Sequence, residues 1–232
     1  PFFKFFAEKM DSFKQPFMTS IFSVSSHHPF KVPEQFKGKF KKGPAPIVEV
    51  VGYTDFALHE LFDEISKSKW FKNTLFVITA DHTNESIHPE FQNNFGSYCV
   101  PVIFYRPGSN IRGIKHRIAQ QIDIMPTILN FLNFDEEYIA FGNNLLDDSY
   151  ESFAFNTSGN NYHLYMKDHI LEMIDNKPVG LFNYKNDKFL GKNLLGTDPD
   201  LRVEMEKKLK AIIQTYNSRL IDNNMTVKSI HK

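Results

Sequence analysis

Two rhythms of apolar and polar residues run along this chain. In its first part, short apolar runs alternate with stretches of helical period. Residues 17–25 (FMTSIFSVS) read as a buried strand that runs into the polar segment 26–29. From Pro46 onward, Val50, Phe56 or Ala57, Leu61 and Ile65 recur at helical spacing with Glu49, Glu60 and Lys67 between them, which predicts an amphipathic helix over about 47–69. Residues 75–79 (LFVIT) are short, apolar and rich in β-branched side chains, as in a strand buried on both faces. A polar loop from Asp81 to about Gly96 follows. Residues 100–105 (VPVIFY) form the next strand, closed by Pro107-Gly108. Residues 118–132 predict a further helix, with Pro126 starting or kinking a segment of it. Such alternation predicts an α/β fold with a mostly parallel sheet flanked by helices.

After about Asp147 the rhythm changes. Residues 152–156, 162–166, 169–174 and 180–184 read as short strands joined by Gly, Asn and Asp turns, which predicts a small antiparallel sheet. A long helix over 198–221 closes the pattern, with Asp198 as N-cap, Pro199 as first helical residue, and Leu201, Met205, Leu209, Ile212 and Tyr216 as its apolar stripe. The expected division is therefore 1–147 for the α/β part and 148–232 for the strands and long helix.

Composition narrows the function classes. Hydrophobic residues make up 41% of 232, with 24 Phe, so a dense core is expected and disorder is not. Lys plus Arg equals Asp plus Glu at 27 each, which gives no electrostatic case for nucleic acid or an anionic surface. The basic run 37–42 lies among Gly and Pro and reads as a solvated loop. Cys99 is the sole cysteine, so an internal disulfide is excluded. The longest apolar runs are far short of the roughly 20 residues of a membrane span. A start at PFFKFF without Met reads as a processed or truncated product.

Two places could carry chemistry. Asp81-His82 directly follows the run LFVIT, and ligands of open α/β sheets bind beyond the carboxyl ends of strands. A carboxylate and an imidazole there can reach one divalent cation; a capping Asp beside an incidental His is the structural alternative. Asp168-His169 repeats the same pair inside an expected hairpin, where it reads as a turn. His27-His28-Pro29-Phe30 ends the first predicted strand, with Pro29 stiffening the backbone. Its histidines could donate a proton, contact an anion or ligate a metal, or simply be satisfied structural residues.

Taken in order, VSSHHPF, YTDFALHELFDEI, LFVITADHT, YCVPVIFYRPG, QQIDIMPTILNFL and FGNNLL resemble the alkaline phosphatase/sulfatase superfamily, specifically the extracellular domain of lipoteichoic acid synthase-like phosphoglycerol transferases. The resemblance covers roughly 16–146. It implies a metal site in which Asp81 and His82 are two ligands, Mn²⁺ or Mg²⁺ being favoured over Zn²⁺. His27 matches a substrate-contacting His of a His-x-Pro-Phe motif; His28 occupies the variable position and is the second choice for contacting substrate. Tyr53, Asp55 and Asp123 also match family motifs and read as structural. Arg106 recurs in the family as well.

The family's Thr nucleophile and first acidic ligand have no counterpart in these residues, and Thr19 and Ser20 fall inside a predicted strand. The formylglycine motif of sulfatases proper is absent. Nothing clearly matches the extra ligands of multi-zinc alkaline phosphatases, His88 being the one open candidate. The implied activity is phosphoryl-ester transfer or hydrolysis through a Thr or Ser supplied by the missing N-terminal half of the same domain. Phospholipid-derived donors, or other phosphate or sulfate esters, would be substrates. The implied location is the outer face of the bacterial cytoplasmic membrane, with anchoring by upstream transmembrane helices. The alternative is a non-catalytic fragment or degenerate homologue that serves as a ligand-binding module.

Overall fold

A computed structural model describes residues 2–83, 86–93 and 95–227. The chain packs as two compact units, Pro1–Gly113 and Ile114–Lys232.

The first unit begins with an element the sequence pattern did not single out, helix α1 (Phe2–Asp11). Phe3, Phe6, Ala7 and Met10 lie along one stripe of it and meet Leu61, Ile65, Trp70 and Phe71 in one apolar cluster. Trp70 Nε1 donates to Asp11 Oδ1 at 2.7 Å, tying the end of α1 into this cluster. Helix α2 (Ile47–Ile65) ends earlier than expected, with Ser66 as its C-cap. Val50, Leu61 and Ile65 are buried as the periodicity predicts. Tyr53 and Phe56 instead meet Phe36 and Phe40 of the preceding segment in tilted and edge-on ring contacts.

Strands β1 (Phe76–Thr79) and β2 (Val102–Tyr105) occupy the two predicted apolar runs. Phe62 of α2 packs on Phe76 and Tyr105, seating the pair on the helix. Three expectations need correction here. β1 and β2 pair antiparallel, Phe76 opposite Tyr105 and Thr79 opposite Val102, so the one ladder of this unit among the described residues is not parallel. Neither strand has a fully buried residue, so β1 is not covered on both faces. Residues 17–25 carry no ladder at all. A strand exists only where its N–H and C=O groups meet a neighbour, and none of the described residues supplies one there.

In the second unit, Ile118–Gln120 is not helical as expected. Gln120 is extended, residues Gln121–Asp123 form a 3-10 turn, and helix α3 spans only Ile124–Phe131. Pro126 sits in the first turn of α3, where its missing N–H costs nothing. Strands β3 (Phe153–Ser158), β4 (Asn161–Met166), β5 (His169–Ile174) and β6 (Lys177–Asn183) form an antiparallel meander in sequence order, as the turn residues predict. Lys167-Asp168 and Asp175-Asn176 are hairpin turns with both residues at positive φ.

Helix α4 (Pro199–Ile221) covers one face of this sheet. The Asp198 side chain accepts from Leu201 N–H at 3.1 Å, confirming the predicted cap. Met205 and Leu209 are fully buried against Leu164, Met166, Leu171, Met173 and Leu181, with Leu201 and Ile212 packed beside them. Tyr216 leaves the predicted stripe: it is exposed and meets Phe141 edge-on.

Candidate active site

β1 delivers the chain to Thr79, whose hydroxyl donates to Pro101 O at 2.9 Å and so pins the strand end to the start of β2. Two residues on, Asp81 and His82 lie side by side, both exposed. Asp81 Oδ1 accepts from His82 N–H at 2.9 Å, and Asp81 Oδ2 stands 3.5 Å from His82 Nε2. His82 Nδ1 contacts Thr83 O at 2.5 Å. A carbonyl can only accept, so Nδ1 donates to Thr83 O and Nε2 is the ring edge turned toward Asp81 Oδ2. Thr83 is anchored in turn, its hydroxyl donating to Ser97 O at 2.8 Å. Gly96 allows this return of the loop, since a Cβ there would lie 2.3 Å from the Phe91 backbone.

The chemistry of this donor set suits a hard divalent cation. Donors about 2.1 Å from one ion lie about 3 Å apart when adjacent, so a small side-chain rotation would bring both onto a common ion. A second carboxylate–imidazole group, His59, Glu60 and Asp63, projects from the exposed face of α2. His59 Nδ1 lies 3.3 Å from Asp63 Oδ2 at i,i+4 spacing, which is ordinary for a solvated helix face.

His27 and His28 are exposed at the end of the 17–25 segment. Two successive turns shape them: His27 N–H donates to Val24 O, and Phe30 N–H donates to His27 O. His27 Nδ1 donates to His28 O at 2.8 Å, which leaves Nε2 as the other edge of the ring. The His28-Pro29 bond is cis, and the His28 ring packs edge-on against Phe30. Neither histidine has a hydrogen bond, ion pair or ring contact with Asp81 or His82 among the described residues. His88 is exposed, its N–H bonded to Ser86 Oγ.

Asp168 takes the turn role expected of it, with φ of 61° and an ion pair to Lys185 at 2.9 Å. His169 is held by Lys167 O and Asn183. Asp123 is structural: its carboxylate accepts from the N–H groups of Gln120 and Asn143, and burial raises its pKa against the lowering effect of those bonds. Arg106 reaches Asn73 Oδ1 at 3.4 Å. The sequence reading missed a buried polar set in the second sheet, where His163 Nδ1 meets Asn156 Oδ1 at 2.9 Å and Nε2 stands 3.5 Å from Glu172. Alternation within β4 was the available signal for it, because His163 falls between the core residues Tyr162 and Leu164.

The Sulfatase family model matches residues 1–134, more than half of the chain. The chain belongs to the sulfatase family. Among curated relatives, lipoteichoic acid synthase 1 of Bacillus subtilis is 27% identical over 170 residues, which is 65% of this chain and 26% of that protein. Lipoteichoic acid synthase of Staphylococcus aureus is 29% identical over 161 residues, 62% of this chain and 25% of that protein. This sulfatase-family chain thus spans about a quarter of the length of these relatives.

Solved structures agree on the fold. An alkaline phosphatase superfamily protein from Vibrio parahaemolyticus superposes with a TM-score of 0.74 at 21% identity, covering 94% of this chain and 54% of that one. Phosphonate monoester hydrolase of Agrobacterium radiobacter gives 0.69 at 15% identity, covering 92% and 60%. The architecture is therefore the α/β fold of the alkaline phosphatase superfamily, with the antiparallel sheet and helix appended. The sulfatase-family assignment makes this a member of a phosphoryl- and sulfuryl-ester transferase and hydrolase family. No helix among the described residues is long and apolar enough to cross a membrane.

Proposed function

We propose that this chain is the C-terminal part of a metal-dependent phosphoryl-ester transferase or hydrolase of the lipoteichoic acid synthase-like branch. The observation that carries the reading is the placement of Asp81 Oδ2 3.5 Å from His82 Nε2 just past the end of β1. Residues 1–147 would contribute the closing part of the α/β core and 148–232 the appended subdomain. Asp81 and His82 would hold one divalent ion, with Mn²⁺ or Mg²⁺ favoured by the oxygen-rich, thiolate-free donor set. When bound, the ion would lower the pKa of a nucleophilic hydroxyl and offset charge on the phosphoryl oxygens.

The upstream half of the same domain would supply that hydroxyl, a Thr or Ser, which attacks phosphorus and releases the alcohol of the donor ester. His27, its Nδ1 turned to His28 O, presents Nε2 to a phosphoryl oxygen or the leaving oxygen, with His28 as the adjacent contact. Water or an acceptor hydroxyl then takes the group. Phosphoglycerol donors of phospholipid origin fit the named relatives, and other phosphate or sulfate esters share the same chemistry. The parent would act at the outer face of the cytoplasmic membrane, anchored by helices upstream of this chain.

The test compares the full-length parent with its Asp81→Ala and His27→Ala variants, measuring bound Mn²⁺ and turnover of a p-nitrophenyl phosphodiester or a lipid donor. Asp81→Ala should lose both metal and turnover. Full activity of Asp81→Ala would remove the reading, whereas a parent with no turnover in the presence of Mn²⁺ would favour a binding module that keeps only the fold.

A further inference from the structure

The basic run 37–42 is built into the first unit more firmly than a solvated loop requires. A 3-10 turn at Glu34–Phe36 leads into it, Lys39 N–H closes a turn on Phe36 O at 3.1 Å, and Gly38 takes the positive φ of 76° that the bend needs. Phe36 and Phe40 then clip the run to α2, their rings meeting Tyr53 and Phe56 at centroid distances of 5.4 to 5.9 Å. Two glycines make the fit close. A Cβ at Gly52 would lie 3.3 Å from Phe40 Cβ, and one at Gly43 would lie 2.6 Å from Val48 Cγ2, where the run returns to the start of α2.

The clip turns charge outward. Residues 31–43 carry Lys31, Lys37, Lys39, Lys41 and Lys42, all exposed, against one carboxylate, Glu34. Glu34 lies 3.0 Å from Lys37, but the two side chains are 79% and 73% exposed, so the pair neutralises little. Lys39 stands over the Phe36 ring at 5.2 Å, and Lys41 and Lys42 meet no carboxylate among the described residues. Burying such lysines would require a partner for each charge. This face is therefore an outer one whatever share of the sulfatase fold the chain spans.

A dissolved polyanion asks only for charge. A bilayer surface takes lysines at its phosphates and aromatic rings at the boundary beneath them. Here the rings of Phe36, Phe40 and Phe56 lie among the lysines, none of them fully buried. We propose that residues 31–43, clipped to α2, are a docking surface for an anionic lipid bilayer. The lysines contact the lipid phosphates, and the ring cluster holds them in one rigid patch. Asp81 and His82 take no part, so this surface goes beyond the metal reading and would serve an enzyme or a binding module alike.

Vesicle sedimentation with the 232-residue chain tests the surface. Vesicles of phosphatidylcholine with about one-third phosphatidylserine should capture the chain at low salt, and pure phosphatidylcholine vesicles should not. Added NaCl should release it. Lys41→Glu with Lys42→Glu should lower the vesicle partition coefficient at least about 25-fold, about fivefold for each lysine lost. Lys41→Arg with Lys42→Arg should keep binding. Lys192→Glu with Lys207→Glu makes the same charge change at exposed positions of the second unit and should bind like the unmodified chain. Thermal melts of all variants verify folding. Asp81→Ala should also bind unchanged, so failure of the metal reading and failure of this one are read separately. Equal capture by neutral vesicles, or unchanged capture of the Lys41→Glu, Lys42→Glu variant, would overturn the proposal. Tighter binding to duplex DNA than to anionic vesicles at the same salt would overturn it in favour of nucleic acid. In the full-length parent without anionic lipid, Lys41 and Lys42 should remain open to acetylation read by mass spectrometry. Their protection there would show that another part of the fold covers the run, which would also overturn it.

Discussion

The amide of Asn143 donates to Asp123 Oδ1 at 2.7 Å, closing a loop of twenty residues onto the start of α3. The other carboxylate oxygen takes Gln120 N–H at 2.9 Å. One turn later Thr127 Oγ1 donates to Asp123 O at 2.6 Å and accepts Leu145 N–H at 2.9 Å. Two segments that resemble family motifs, QQIDIMPTILNFL and FGNNLL, are thus halves of one hydrogen-bonded lock. Asp123→Ala leaves two N–H groups without their acceptor and should cost about 2–6 kcal/mol, at about 1–3 kcal/mol for each unmet group. Urea unfolding of the second unit would measure it.

The same carboxylate makes a pH prediction. Burial raises the folded-state pKa of Asp123 above its ordinary value, so the ionised form is the disfavoured one in the folded chain. Its contribution to stability is therefore fullest below the unfolded pKa and declines as pH rises through the folded one. The stability of the chain relative to Asp123→Asn should fall across that window. A difference that grows with pH would show that the two amide bonds outweigh burial.

Gly142 stands where a Cβ would lie 2.4 Å from Ile122 O, whereas Gly196 has nothing within 4 Å. Gly142→Ala should destabilise by about 1–3 kcal/mol as the backbone is forced apart. Gly196→Ala should lie within about 0.5 kcal/mol of the parent. Thermal melts of the pair make each the control for the other.

In the second core, Met205 is fully buried under the sheet while Tyr216, on the same helix, is exposed. Met205→Ala should cost about 2–5 kcal/mol, and Tyr216→Ala far less. Equal losses would mean that α4 does not seat on the sheet through Met205 and Leu209.

For the proposed chemistry, the isolated chain should bind Mn²⁺ weakly and turn over no phosphodiester, because two ligands rarely hold such an ion and the covalent route lacks its hydroxyl. In the parent, His82→Ala should lose metal along with activity. His27→Ala should keep the metal and lower turnover about 10²–10⁴-fold, the usual worth of a positioned proton donor. Metal analysis beside steady-state kinetics separates the two effects. Robust turnover by the isolated chain would show that its nucleophile lies among these 232 residues.

Local chemistry alone determined much of this protein. Asp198-Pro199 sets the start of α4, the Lys167-Asp168 and Asp175-Asn176 pairs set the hairpins, and alternation sets which residues of β4 and β5 meet the helix. These features depend on neighbours within a few residues, so the sequence states them directly. The Asp81-His82 pair was legible for the same reason, as adjacent residues after an apolar run, and the structure added the Nδ1 contact to Thr83 O and the 3.5 Å spacing. Strand direction and cover were decided at longer range. β1 and β2 run antiparallel although their apolar runs suggested a parallel sheet, because hydrophobicity reports burial and not which way a neighbour points. Residues 17–25 have a strand's composition and no ladder, because a strand is a relation between two segments, and composition describes only one of them.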